Sequence, residues 1–284
     1  MSSVLPWMAF SEEEMQAFEP AMKIGLLATI NPQGQPHLTL ISSLKAGSSA
    51  TVTFGQFIEG LSKQHVCQNP NAAFLIMTLD RQLWRGKARW THAERSGADY
   101  DWYNNVPMFR YNAYFGIHTV HYLDLIAHTG RQALPVNAVV FAALKTMLAR
   151  TFAAPRSTGE VLNPWTRAFF NKIDNLKFLV YIDQDGFPMI IPVIQAQAGG
   201  KSHLLFSIGV YSKELSAIAP GSPVAILGMA LTMEDVLVRG VYEGVRRRAG
   251  VACSSVAVDW VYNPMPPVPG QIYPQEEVKA VVQF

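Results

Sequence analysis

Two stretches of this chain read alike. Residues 24–34 are IGLLATINPQG, and residues 176–186 are LKFLVYIDQDG. Each is an apolar run that ends in a polar turn closed by glycine, which is typical of a β-strand entering a hairpin. A proline follows each turn, Pro36 in the first stretch and Pro188 in the second, 152 residues further along. The likeness predicts that one structural unit occurs twice.

Matches continue on both sides of these stretches in the same order. Phe54 recurs as Phe206, and Gly86 recurs as Gly240. The pair Ser62-Lys63 recurs as Ser212-Lys213. The separations change only slightly, as loop insertions would produce. We therefore predict two copies of one domain: repeat 1 covers about 20–130, and repeat 2 covers about 172–264.

Short apolar runs separated by turns predict the secondary structure of repeat 1. Helices are expected over about 11–20 and 62–68. Six strands are expected, at about 24–30, 36–43, 50–55, 72–79, 82–91 and 114–126. This spacing indicates a protein that is mainly β with flanking helices, in which each repeat is a small antiparallel barrel.

The predicted domains follow from this reading. Residues 1–130 form the first domain with its N-terminal helix, and 131–171 form a helical linker. Residues 172–284 form the second domain, which ends in a Pro-rich C-terminal tail.

Composition excludes several classes of protein. Of 284 residues, 49% are hydrophobic and 15% are charged, and the formal net charge is +2. A near-neutral chain offers no electrostatic surface for nucleic acid or an anionic membrane. Its two cysteines have no metal-ligand spacing, so we predict no metal site. The N-terminus does not read as a signal peptide, and a cytoplasmic protein is expected.

The ordered motifs resemble one known family. Gly34-Gln35-Pro36, Phe54, Ser62-Lys63, Asn69-Pro70 and Gly86-Lys87-Ala88 follow each other as in the FMN-binding split barrels related to pyridoxamine 5′-phosphate oxidase. The resemblance implies two tandem six-stranded antiparallel split β-barrels. It also implies flavin in a cleft between paired barrels, which pair either within one chain or in a homodimer.

Several residues are candidates for cofactor contacts. Ser62 and Lys63 begin a short helix, where exposed N–H groups and an ammonium suit a phosphate. The resemblance implies that the strand after Pro36 runs along the flavin. It also implies that one polar residue lies near the phosphate and that one glutamine lies near the isoalloxazine ring. The full candidate set is His37, Thr39, Leu40, Ile41, Gln56, Ser62, Lys63, Gln82, Trp84 and Arg85.

One of these assignments has a competing structural interpretation. Trp84 either stacks near the flavin ring or belongs to the core. In repeat 2, the positions equivalent to His37, Thr39 and Ile41 are Met189, Ile191 and Val193. Because that face has lost its polar groups, repeat 1 is expected to hold the cofactor and repeat 2 to be a degenerate partner.

The resemblance implies an FMN-dependent oxidoreductase that uses flavin N5 for hydride transfer, with a small-molecule substrate or reduced nicotinamide. No catalytic residue is assigned. A deazaflavin is an alternative cofactor. Haem binding or degradation is an alternative function, with His118, His121 and His128 as candidate ligands. We expect His118 and His121 to lie on opposite faces of a strand, because their spacing is odd. A non-catalytic flavin-binding module is the third alternative.

Overall fold

The computed structural model describes residues 5–20, 22–57, 60–106, 116–151, 159–232, 234–264 and 270–275. Within these ranges the chain forms sixteen strands and six helices. The prediction of a mainly β protein with flanking helices is confirmed. The predicted Pro-rich tail lies largely outside the described residues, as do residues 152–158 of the predicted linker 131–171.

Repeat 1 folds into one antiparallel sheet. Its strands are β1 Ile24–Ile30, β2 Pro36–Leu40, β3 Lys45–Ser48, β4 Thr51–Gln56, β5 Asn71–Met77, β6 Gln82–Glu94, β7 Thr119–His128 and β8 Gln132–Ala133. The hydrogen-bonded order is β2-β1-β5-β6-β7-β4-β3, and β8 pairs with β6. The end strands β2 and β3 do not pair with each other along this path, so the barrel is split rather than closed.

Repeat 2 forms a second sheet. Its strands are β9 Leu176–Ile182, β10 Pro188–Pro192, β11 Gln197–Ala198, β12 His203–Ser207, β13 Pro223–Met229, β14 Asp235–Arg248, β15 Val251–Asn263 and β16 Gly270–Tyr273. The order is β10-β9-β13-β14-β15-β12-β11, which matches the first sheet strand for strand. This common topology confirms the predicted duplication.

The two hairpin turns quoted from the sequence have the same geometry. Gly34 and Gly186 both adopt positive φ, at 73° and 79°. The amide of Gly34 donates to the carbonyl of Asn31 at 2.9 Å, and that of Gly186 donates to the carbonyl of Asp183 at 3.0 Å. Glycine recurs in both repeats because a left-handed backbone costs it no steric strain.

Each sheet has eight strands, so the predicted number of six is wrong. The additional strands β3 and β8 have four and two residues. They are too short and contain too few β-branched or aromatic residues to give a period-two signal. Strand limits also differ from expectation. The segment predicted over 36–43 ends at Leu40, and that over 82–91 continues to Glu94. The last strand, predicted over 114–126, is Thr119–His128 in the described residues, which do not include 114 and 115.

Six helices flank the sheets in the described residues: α1 Glu12–Phe18, α2 Leu61–Gln68, α3 Ala98–Asn105, α4 Val136–Thr151, α5 Pro164–Asn171 and α6 Ser212–Ala217. Helix α1 begins with a capping box between Ser11 and Glu14. Helix α5 begins at Pro164 and is capped by Asn163. Ser11 with Glu14 is the residue pattern of a capping box, and proline is favoured at the first position of a helix.

The chain forms two compact units. The first contains the described residues up to 134 together with Asp183–Ile190, and the second contains Pro135–Ile182 and the described residues from 191 onward. The first unit has a core of buried apolar side chains from the sheet and α1, including Phe18, Phe54 and Trp84. In the second unit, Phe206 takes the place of Phe54 and is equally buried.

Two absences bear on partners. Within the described ranges, no helix is long and apolar enough to cross a membrane. No group of three or more His, Cys, Asp or Glu side chains in those ranges is placed to hold a metal ion.

Candidate functional site

Helix α2 carries the Ser-Lys pair and packs on strands β1 and β2. The helix begins after Gly60, which has extended backbone and offers no side-chain cap. Ser62 is 1% exposed, and its hydroxyl hydrogen-bonds with the hydroxyl of Thr39 on β2. This contact holds the start of the helix against the strand and so sets the position from which the Lys63 side chain projects.

Lys63 opens onto a pocket of about 750 Å³. We call it the lysine pocket; its polar lining is Gln56, Lys63, Gln64, Gln68, Arg95, His118, Thr119 and His121. Among the described residues, no carboxylate lines it. Lys63 and Arg95, with no acid beside them, make the pocket electropositive near pH 7 in a chain whose net charge is near zero.

The ammonium of Lys63 is held in a poorly solvated place. Burial lowers the pKa of Lys63 from its ordinary value of 10.5 to about 8. Within the described part of the chain, no acidic side chain pairs with this ammonium. A buried cation without a counterion is stabilised when an anion binds beside it. The side chain is therefore suited to receive an anionic group.

His121 forms the inner wall of the lysine pocket in a fixed orientation. The indole N–H of Trp90 donates to its Nδ1 at 3.2 Å, so the proton of the neutral ring lies on Nε2. That Nε2–H donates to Oε1 of Gln56 at 2.7 Å. Burial, together with the charge of Lys63, lowers the pKa of His121 to about 4. The ring is therefore neutral near pH 7 and holds the Gln56 carbonyl, which leaves the amide NH₂ of Gln56 as a donor.

The candidates on strand β2 occupy different environments. His37 is 2% exposed and lies beneath α2, with its ring edge-on to His65 at 5.1 Å. Ile41 is 4% exposed, whereas Thr39 and Leu40 are half-buried. Thr39 contacts the start of α2 directly, through the hydrogen bond between its hydroxyl and that of Ser62.

The candidates on strand β6 lie away from the lysine pocket. Trp84 is 1% exposed and packs edge-on against Phe18 at 5.0 Å, so it belongs to the core. Gln82 is half-buried and accepts from Nε of Arg131 at 3.4 Å. Arg85 is buried, and its Nη1 donates to the carbonyl of Ile190 at 3.0 Å. None of the three lines the lysine pocket.

The structure adds pocket residues that the sequence did not single out as flavin ligands. Thr119 and His121 come to the pocket because β7 pairs with β4 in a register that sets Gln56 opposite Thr119. Arg95 arrives at the end of the long strand β6. Such pairings join residues far apart in sequence, so local patterns do not reveal them. Alternation along β7 is the only sequence signal for Thr119 and His121.

The histidines do not follow the sequence expectation. His118 and His121 both line the lysine pocket, so their placement on opposite faces is wrong. His118 precedes the first residue of β7, where strand alternation does not apply. Both ring nitrogens of His121 are engaged as described above. His128 is likewise engaged: its Nδ1 accepts from the amide of Gly130 at 3.1 Å, and its Nε2 lies 3.0 Å from the carbonyl of Ala9. Neither ring has a nitrogen available for haem iron.

In the described part of repeat 2, the residues equivalent to those of β2 and to Lys63 do not line a comparable polar pocket. Met189, Ile191 and Val193 are at most 1% exposed and pack in the core. Lys213 is exposed on the six-residue helix α6. The apolar face that the sequence indicated for repeat 2 is thus a packing surface.

No protein-family profile matches this sequence, and neither does any curated protein. Solved structures do match it. HupZ of Group A Streptococcus is 12% identical, with a TM-score of 0.35 over 42% of this chain and 91% of its own. An FMN-binding protein of Syntrophomonas wolfei is 13% identical, with a TM-score of 0.33 over 39% of this chain and 77% of its own. An FAD-binding protein of Mesorhizobium loti is 16% identical, with a TM-score of 0.31 over 44% of this chain and 96% of its own.

Proposed function

We propose that the chain binds FMN, with the phosphate in the lysine pocket, and that it acts as a flavin-dependent oxidoreductase. One observation carries the proposal. Lys63 presents a desolvated ammonium to a pocket that has a second cation and, among the described residues, no carboxylate. A phosphate dianion is the ligand group that such a site stabilises most.

The residues present fit the phosphate of a flavin nucleotide. Lys63 and Arg95 supply charge, and the amide NH₂ of Gln56 supplies a neutral donor. A pocket of about 750 Å³ lies within the range of small-molecule sites. When bound, the flavin supplies hydride transfer at N5, so the chain itself needs no acid–base pair for that step.

In this proposal, the protein's own residues orient the ligand and supply positive charge beside its phosphate. His121 is neutral near pH 7, so it adds no charge that would vary with pH in that range. His121 holds Gln56 in position through one hydrogen bond, and Trp90 holds His121 through another. Such a chain of hydrogen bonds holds a donor in place before the ligand arrives, which lowers the entropic cost of binding.

The hydride donor or acceptor is proposed to be a small molecule or a reduced nicotinamide. Because repeat 2 lacks an equivalent pocket wall, one flavin per chain is proposed. The pairing of repeats within one chain and the pairing of two chains in a homodimer both remain compatible with one flavin per chain.

A comparison of FMN with riboflavin tests the role of the phosphate. The two share the isoalloxazine ring and differ only in the phosphate. Each charge-assisted hydrogen bond contributes roughly 1.5–3 kcal/mol, so FMN is expected to bind at least about tenfold more tightly than riboflavin. Binding is measured by quenching of flavin fluorescence. Equal affinities for the two flavins would contradict a phosphate anchored in the lysine pocket.

A further inference from the structure

A second pocket lies in the first unit, and it shares no residue with the lysine pocket. Its volume is about 790 Å³, and α1, the segment before it, Trp84 of β6 and the residues that follow β7 form it. We call it the tryptophan pocket; the residues that define its chemistry are Trp7, Phe10, Glu13, Glu14, Trp84 and Arg131. We propose that the tryptophan pocket binds an ammonium ion carried on an aromatic or aliphatic body.

Two indole rings give the pocket its apolar walls. Trp7 is 58% exposed, yet its backbone is bridged to His128 by two hydrogen bonds of 3.3 and 2.7 Å. Gly130 leaves room for the Trp7 indole, because a Cβ there would lie 2.8 Å from Nε1. Trp84 is buried at the floor. A large aromatic ring held in place but left uncovered suits stacking against a ligand or a cation–π contact.

The carboxylate of Glu14 lies between these walls with only neutral donors. Its Oε1 accepts from the indole N–H of Trp84 at 2.9 Å, and its Oε2 accepts from the amide of Ser11 at 3.0 Å. The side chain is 14% exposed. In the described ranges, no lysine or arginine comes within ion-pair distance of it. A shielded carboxylate without a cation attracts one from solution.

The nearest basic groups do not neutralise Glu14. Nδ1 of His128 lies 4.0 Å from Oε1 of Glu14, but it accepts a hydrogen bond from the amide of Gly130. The proton of that ring is therefore on Nε2, and the ring turns a lone pair toward the carboxylate. Arg131 pairs with Glu13 at 2.9 Å. Glu13, Glu14 and Arg131 together therefore leave one net negative charge in the pocket.

This combination selects one chemical class. The carboxylate favours an ammonium group and disfavours an anion, and the indole rings favour an apolar body. A neutral molecule of the same shape gains only the stacking contact. The proposal does not depend on flavin binding, because Lys63 and its neighbours lie in the other pocket.

Three probes of similar shape test the charge preference: benzylamine, benzyl alcohol and benzoate. Binding to the full chain is followed by calorimetry and by the indole N–H signals of the protein in NMR spectra. Benzylamine is expected to bind with a Kd near or below about 1 mM, at least tenfold more tightly than benzyl alcohol, and to shift the signals of Trp7 and Trp84. Benzyl alcohol binding as tightly as benzylamine, or no shift with benzylamine at millimolar concentration, would overturn the proposal.

Matched variants locate the site. Glu14→Gln removes the charge and keeps a residue that capping boxes accept at this position, so α1 should still form. Glu12→Gln makes the same change two residues earlier on α1, at an exposed residue outside the pocket. Benzylamine affinity is expected to fall at least tenfold in Glu14→Gln and to change less than twofold in Glu12→Gln. Equal effects would show that general surface charge, rather than the pocket, attracts the amine.

A second pair of variants tests the aromatic wall without touching the cap. Trp7→Ala is expected to weaken benzylamine several-fold, whereas Met8→Ala, at an exposed neighbour outside the pocket, should leave it unchanged. Loss in both variants, or in neither, would count against the pocket. FMN affinity measured on all four variants should equal that of the unchanged chain, so failure of this proposal is distinguishable from failure of the flavin assignment.

Discussion

At the scale of single residues, Lys63 and Lys213 are a natural pair of variants. They occupy equivalent positions in the two repeats, but Lys63 is desolvated in the lysine pocket and Lys213 is exposed. Lys63→Ala is expected to weaken FMN binding at least about tenfold, because one charge-assisted contact is lost. Lys213→Ala should leave it within twofold. Equal losses in fluorescence titrations would place the site elsewhere.

The same lysine predicts the pH dependence of FMN affinity. In the free protein, burial lowers the pKa of Lys63 to about 8. Below that pH the ammonium is present to receive the phosphate; above it, binding must first restore a proton. The Kd for FMN is therefore expected to rise as pH increases past about 8, by up to tenfold per unit. Lys63→Ala should lack this rise. A parallel rise in the variant would assign the titration to another group.

At the scale of elements, glycines mark where paired strands approach too closely for any side chain. A Cβ at Gly240 on β14 would lie 2.0 Å from the carbonyl oxygen of Ala257. The β14–β15 ladder shifts register there, and the β6–β7 ladder shifts next to the equivalent Gly86. Both repeats therefore keep glycine at an irregular strand pair.

Gly240→Ala is expected to destabilise the chain by at least about 1–3 kcal/mol, because the strands must separate to admit the methyl group. Gly270→Ala is the control, since a Cβ there meets nothing within 4 Å. Urea denaturation followed by circular dichroism measures both. Similar midpoints for the two variants would show that the ladder accommodates a side chain at position 240.

Local signals explain which elements the sequence predicts well. The turns at Gly34 and Gly186, the cap at Ser11 and the proline start of α5 each depend on a few adjacent residues. The short strand β3 has no such signal. The grouping of side chains into pockets also cannot be predicted from local sequence, because it depends on pairing between strands that are distant along the chain. Trp84 shows this: its indole bonds to Glu14, seventy residues earlier, and this contact belongs to the tryptophan pocket.

At the scale of the whole molecule, duplication has kept the topology and changed the chemistry. The two sheets share one strand order, whereas the polar face of β2 becomes wholly apolar in β10. Core packing constrains strand order in both repeats, but nothing in the fold requires two identical pockets. The sequence predicted this asymmetry from three positions, and the structure places all three in the core.

The central claim is that one chain holds one FMN through repeat 1. The most direct measurement is a visible absorption spectrum of the purified chain, with the cofactor released by heat, identified by mass and quantified per chain after saturation. We expect FMN at one molecule per chain. A Soret band, two FMN molecules per chain, or a chain that takes up no FMN on titration would contradict it.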